Sequence, residues 1–295
     1  LFLISLTHLQ AQKHLIQFEN ITIDDGLAQS TITDLLQDKN GFMWFATAEG
    51  LHRYDGYSFK IFKSEQGNEH SLSDNYLTAL AQDKIGNIYI GANNGSLCKL
   101  DIATGQFIRL NNNWNGGNNF YPSNHLNIDA NNQIWIATEG GGAILIDSSG
   151  KVLRLLNNQN NTLANNYIRK TVLLTNRTLV CTQNGLVALD NHFKPQIVSE
   201  LDSFHLQFVT DVLAINNNQY YVSTMGQGLY LWDTNKKIVT KIELPRMRGS
   251  RHLEFLLQDD DKDLWIGTSN GGLLRIIDNQ VYTYSNNPLI SNSLV

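Results

Sequence analysis

The chain has 295 residues, of which 42% are hydrophobic and 17% charged; 22 Lys and Arg stand against 27 Asp and Glu, a net charge of −5, with two cysteines. A chain of this size buries roughly three quarters of its unfolded surface, so its core needs no staple. The acidic balance and scattered Lys and Arg exclude nucleic acid as a partner, and two cysteines exclude a disulfide scaffold.

At the start, Leu1-Phe2-Leu3-Ile4-Ser5-Leu6 with Leu9-Gln10-Ala11 reads as the tail of a secretory signal whose basic start is missing. The run is too short to span a bilayer. Residues 1–11 are accordingly expected to be a signal remnant and 12–295 the folded part of a longer exported protein. The competing reading is an ordinary buried strand. Next comes a lone strand, His14 to Thr22, patterned like the outermost strand of the repeats that follow.

Six copies of one unit then succeed each other. A short strand ends in a small residue plus Thr, turns at glycine into a second strand, and stops at Asp: Trp44-Phe45-Ala46-Thr47…Asp55, Tyr89-Ile90-Gly91-Ala92…Asp101, Trp135-Ile136-Ala137-Thr138…Asp147, Leu179-Val180-Cys181-Thr182…Asp190, Tyr221-Val222-Ser223-Thr224…Asp233 and Trp265-Ile266-Gly267-Thr268…Asp278. The leading residues recur every 42 to 46 positions. A period in that range, built from short strands with Gly, Asn and Asp turns, predicts a β-propeller of four-stranded blades. The fold class expected is all-β, with six complete repeats plus the N-terminal outer strand of a seventh, a truncated seven-bladed ring. A true six-bladed ring is the alternative.

Several recurrent residues have structural explanations. Asp38…Gly41 and Asp83…Gly86 suit tight turns, in which Asp caps backbone N–H groups. Asp259-Asp260-Asp261-Asp263 faintly suggests a calcium loop but fits the same turn. The aromatics that lead the second strands are expected to wedge between blades. Cys181 takes the small-residue place and is expected to pack there, unpaired with Cys98.

No catalytic signature is present: the chain lacks H-E-x-x-H, C-x-x-C, G-x-S-x-G and phosphate-loop patterns. Its eight histidines stand singly, so no metal site and no cofactor are expected. Two connections on one face of the ring offer binding chemistry instead. Trp114, Asn115 and Tyr121 lie in an amide-rich loop with the ingredients for stacking on and hydrogen-bonding a sugar. Arg246, Arg248, Arg251 and His252 form a basic cluster able to hold a carboxylate or sulfate. The plainer reading of both is a solvated loop.

Leu35-Leu36-Gln37-Asp38-Lys39-Asn40-Gly41-Phe42-Met43-Trp44-Phe45-Ala46-Thr47 through Asp55-Gly56 closely resembles the repeat of the two-component regulator propellers, and Leu256-Leu257-Gln258-Asp259…Leu264-Trp265-Ile266-Gly267-Thr268 is similar again. Asp25-Gly26-Leu27 with Ser30 looks like the segment that opens the family's propellers. The first and sixth copies are specific matches; the middle four are degenerate. The resemblance implies a periplasmic, glycan-sensing input domain of a membrane protein whose output is a histidine kinase or a diguanylate cyclase. It also implies a homodimer as a candidate partner and membrane attachment through downstream segments only. It transfers no ligand residue. A propeller polysaccharide hydrolase or lyase is the rival reading, and a scaffold that binds only protein is a third.

Overall fold

The computed structural model describes residues 16, 18–110, 121–196, 198–202, 204–246 and 251–285. Within them lie six four-stranded antiparallel sheets, each formed by four consecutive strands. Blade 1 comprises β1 (Ile32–Gln37), β2 (Met43–Thr47), β3 (Gly50–Tyr54) and β4 (Phe59–Phe62). Blade 2 has β5 (Leu77–Gln82), β6 (Ile88–Ala92), β7 (Leu97–Leu100) and β8 (Phe107–Leu110). Blade 3 has β9 (Ser123–Ile128), β10 (Ile134–Thr138), β11 (Ala143–Ile146) and β12 (Val152–Leu156). Blade 4 follows with β13 (Ile168–Leu173), β14 (Arg177–Thr182), β15 (Gly185–Asp190) and β16 (Pro195–Gln196). Blade 5 has β17 (Val209–Ala214), β18 (Gln219–Thr224), β19 (Gly228–Asp233) and β20 (Ile238–Ile242), and blade 6 has β21 (Leu253–Gln258), β22 (Leu264–Thr268), β23 (Gly272–Ile277) and β24 (Gln280–Tyr284).

The first strand of each blade lies at the hub: β1 packs on β5, β5 on β9, β9 on β13, β13 on β17 and β17 on β21. The apolar core is divided in the same way. Each of five clusters draws on two successive blades; Trp44 and Leu51 of blade 1, for example, share a cluster with Leu77 and Ile90 of blade 2. Fully burying a Leu or Ile is worth about 1.5–3 kcal/mol, so these shared faces hold the ring together. Small residues let the blades close. A Cβ on Gly91 would lie 2.7 Å from Ser123 Cβ of the next blade.

Turn chemistry explains the recurrent Thr and Asp. Thr47, Thr138, Thr182, Thr224 and Thr268 each donate Oγ1–H to the carbonyl of the glycine that opens or precedes the third strand, at 2.7 to 2.9 Å. Asp38 accepts from the backbone of Asn40 and Phe42 with Oδ1 and from Trp44 Nε1 with Oδ2 at 2.8 Å. Asp259 repeats the pattern with Trp265, while Asp263 takes Arg275 at 2.6 Å. The acidic run is thus a turn, as expected, and among the described residues no cluster of His, Cys, Asp or Glu is arranged to hold a metal. Both cysteines are buried and free.

The fourth blade's outer strand is short, Pro195–Gln196, and a helix, Ser199–Asp202, follows it. Pro195 has no N–H for a ladder, which limits pairing there. In the lead-in, residues 16 and 18–22 form no strand. They have no neighbouring strand of their own to pair with among the described residues. The segment instead ends in a 3₁₀ turn, Ile23–Asp25, capped by Thr22, after which Ala28 N–H donates to His52 Nε2 at 3.1 Å. The signal expectation for residues 1–11 lies outside the described residues.

Candidate ligand-binding site

Every hub strand carries one bulge where it meets the second strand. The residue skipped in pairing is Thr33, Thr78, Asn124, Arg169, Thr210 or Glu254. A bulge re-aims its side chain, and here it sets polar groups around the axis near the ends of the hairpins.

Between blades 3, 4 and 5 these positions open into a cleft of about 190 Å³. Its walls include Asn124 and Glu139 of blade 3, Tyr167, Arg169 and Gln183 of blade 4, and Phe208 of blade 5. Tyr167 is 51% and Phe208 41% exposed, so each presents part of a ring to the opening. Asn124 Nδ2 is engaged by the Ile168 carbonyl, leaving its Oδ1 toward other partners. Arg169 reaches past blade 5 to Glu254 of blade 6 at 3.0 Å. Phe208 sits at φ 47°, the left-handed region that bulky residues avoid. Its N–H donates to the Gln183 carbonyl at 2.7 Å and its own carbonyl accepts from Met225 at 2.8 Å, which holds the backbone there. Strain of this kind costs about 1–3 kcal/mol and gathers at ligand clamps.

The next residues of the hub strands bring charged groups together, with Asp211 buried among them. Lys170 Nζ lies 2.6 Å from Asp211 Oδ1, while Asp211 Oδ2 accepts the Leu256 N–H of the next blade at 3.0 Å. Asp34 makes the same step to blade 2, accepting Leu80 N–H at 2.7 Å. Burial raises Asp211 and pushes Asp34 up to about 6, opposed in both by backbone N–H groups and by Lys170. His125 is one of these next residues, with Nδ1 buried and unpartnered; burial, helped by Lys170, pushes it down to about 3. At neutral pH it is therefore an uncharged imidazole.

The residues singled out from sequence do not form one site. Trp114, Asn115 and Arg248 lie outside the described residues. Tyr121 packs its ring over Gly140 and Gly141 beside the blade 3 hairpin. Arg246 and Arg251 line a separate, smaller cleft of about 90 Å³ on blade 5, together with Lys241 and Glu243. His252 precedes β21 and bridges to Met225. Loop composition does not mark the axial cleft, because it is assembled from separate residues of three blades. A periodic signal does mark it: Tyr76, Pro122, Tyr167, Phe208 and His252 each stand immediately before a hub strand.

Residues 26–49 match the model of the family described as two component regulator propeller. Over 65 residues the chain is 40% identical to histidine kinase P4 of Formosa agariphila, a stretch that makes up 22% of this chain and 5% of the kinase. Two solved structures, each described as the extracellular domain of a hybrid two component system of B. thetaiotaomicron, share the fold with TM-scores of 0.76 and 0.71. They are 22% and 20% identical over 94% and 92% of this chain, which spans 38% and 39% of their lengths.

Proposed function

We propose that this chain, whose residues 26–49 match the two component regulator propeller model, is a propeller of that family and the extracytoplasmic ligand-sensing part of a membrane-bound signalling protein. Two of its solved structural neighbours are described as extracellular domains, and no helix among the described residues is long and apolar enough to cross a membrane. The single observation that carries a ligand-binding role is the axial cleft. It joins exposed rings of Tyr167 and Phe208 to the amide of Gln183, the carboxylate of Glu139 and a guanidinium, the mixture that fixes a polyhydroxylated ligand by stacking and hydrogen bonds. The ligand proposed is accordingly a glycan.

In this reading a seventh blade closes the ring beside blade 6. The propeller performs no catalysis; ligand binding biases the placement of two subunits, and that shift passes to a kinase or cyclase output. A glycan array probed with the purified propeller tests it. Retention of an oligosaccharide that a Tyr167→Ala variant no longer retains is the expected result, and an array without any retained glycan overturns it.

A polysaccharide hydrolase or lyase is the second reading, because Glu139, Tyr167, Arg169 and Glu254 do converge near the axis. Against it, Glu254 is engaged by Arg169, and the imidazole of His125, its Nδ1 buried, is neutral at pH 7 and so is not an imidazolium acid. New reducing ends or unsaturated products released from a glycan by the purified chain would establish it.

A further inference from the structure

Five of the six hub strands are preceded by a residue with a ring: Tyr76, Pro122, Tyr167, Phe208 and His252. Each uses its carbonyl to accept an N–H from the residue just beyond the second strand of its own blade, namely Asn93, Glu139, Gln183, Met225 and Ser269. One backbone position thus repeats around the rim of the axial mouth. At blades 4 and 5 two rings from this position stand on adjacent blades and wall the same cleft.

The charge of the cleft is settled by its ion pair. Arg169 is matched by Glu254 at 3.0 Å, which leaves the carboxylate of Glu139 without a cation among the cleft's walls. A ligand carboxylate or sulfate entering here would face that uncompensated negative charge, and like-charge juxtaposition is strongly disfavoured. A neutral hydroxyl does the opposite, since it donates to Glu139 and to the free oxygen of Asn124. The size of the cleft suits one six-membered ring, whose apolar C–H face would lie on Phe208 or Tyr167.

Building on the glycan reading above, we propose that the axial cleft takes one terminal, uncharged sugar of a neutral oligosaccharide. Acidic and sulfated sugars are rejected by Glu139. The Arg246 and Arg251 cleft, with its opposite charge, is not part of this site.

The test is titration calorimetry of the purified chain with neutral trisaccharides of glucose, galactose, mannose and xylose, and with trigalacturonate. At least one neutral trisaccharide is expected to bind and trigalacturonate not to. Phe208→Gly fits the positive φ at that position and is expected to weaken the neutral ligand about tenfold. Glu139→Gln keeps a hydrogen-bonding group, removes the charge, and is expected to admit trigalacturonate. If the unchanged chain binds trigalacturonate and no neutral trisaccharide, the charge assignment is wrong while the glycan reading stands. If a neutral trisaccharide binds and Phe208→Gly leaves its affinity unaltered, the location is wrong. If no saccharide binds, both readings fall together.

Discussion

Phe18 meets Tyr284 edge to face, with ring centroids 5.3 Å and planes 77° apart, and so repeats the contact that Phe62 makes with Phe107 at 5.6 Å and 71°. Phe62 and Phe107 belong to the outer strands of successive blades. Phe18, which lies in no strand, thus packs on the outer strand of blade 6 in the edge-to-face geometry that joins the outer strands of blades 1 and 2. Phe18→Ala is expected to lower stability by about 1–2 kcal/mol through lost burial and the aromatic pair. Phe18→Leu should lose less. Urea unfolding of the two variants beside the parent chain gives the comparison, and equal stability of all three would show the contact to be without weight.

The bond from Trp44 Nε1 to Asp38 Oδ2 ties a fully buried indole to the turn below it. Trp44→Phe keeps most of the apolar volume but leaves a buried carboxylate oxygen without its donor, at a cost of about 1–3 kcal/mol. The matching pair in blade 6, Trp265 with Asp259, is less buried and Asp259 also faces Arg275. Trp265→Phe should therefore cost less than Trp44→Phe, a ranking that denaturant midpoints will read directly.

Stability should depend on pH through titratable groups of the hub strands. His125 stays neutral to about pH 3 when folded, whereas the unfolded chain protonates it near the ordinary imidazole value of 6.5. The unfolded state then binds more protons, so this contribution is complete above pH 6.5 and is lost as the pH falls. Asp34 works in the opposite sense. Folded at about 6 against 3.8 unfolded, it contributes most below 3.8 and loses that contribution as the pH rises through 6. On going from pH 7 to 5, His125→Gln should lose about 2 kcal/mol less stability than the parent, at about 1.4 kcal/mol per unit. Asp34→Asn should lose more than the parent. Parallel pH profiles for all three proteins would contradict the placement of these groups.

Burial raises the thiols of both Cys98 and Cys181, the latter aided by the Asp211 carboxylate. The thiolate is the reactive form, so neither cysteine should be alkylated by iodoacetamide in the native chain at pH 7.5. Both should react in urea. Native labelling followed by peptide mass spectrometry decides it, and prompt modification of Cys181 would mean that the contact between blades 4 and 5 opens readily.

Much of the fold was legible because turn chemistry acts over a few residues. Thr182 closes its hairpin onto Gly185 and Asp190 caps its turn through His192 and Lys194 N–H groups wherever those residues recur at fixed offsets. The small side chain at Cys181 was readable for the same reason. The axial cleft was not, because Arg169 and Asn124 owe their direction to bulges, and a bulge inverts the alternation that sequence patterns rely on. Phe208 was hidden for a related reason: its backbone conformation is imposed by Gln183 and Met225, residues far from it in the chain.

The Arg169–Glu254 bond differs in kind from the other ties of the hub. Asp34 to Leu80, Asn124 to Ile168 and Asp211 to Leu256 run along the circumference, each from one blade to its neighbour. Arg169 and Glu254 subtend blade 5 instead, as a chord subtends an arc. A link along the circumference fixes the spacing of neighbours only, whereas a chord also fixes the distance between blades 4 and 6. An exposed pair contributes only a few tenths of a kcal/mol, so this chord supplements the apolar faces shared by blades 4, 5 and 6, which hold the arc.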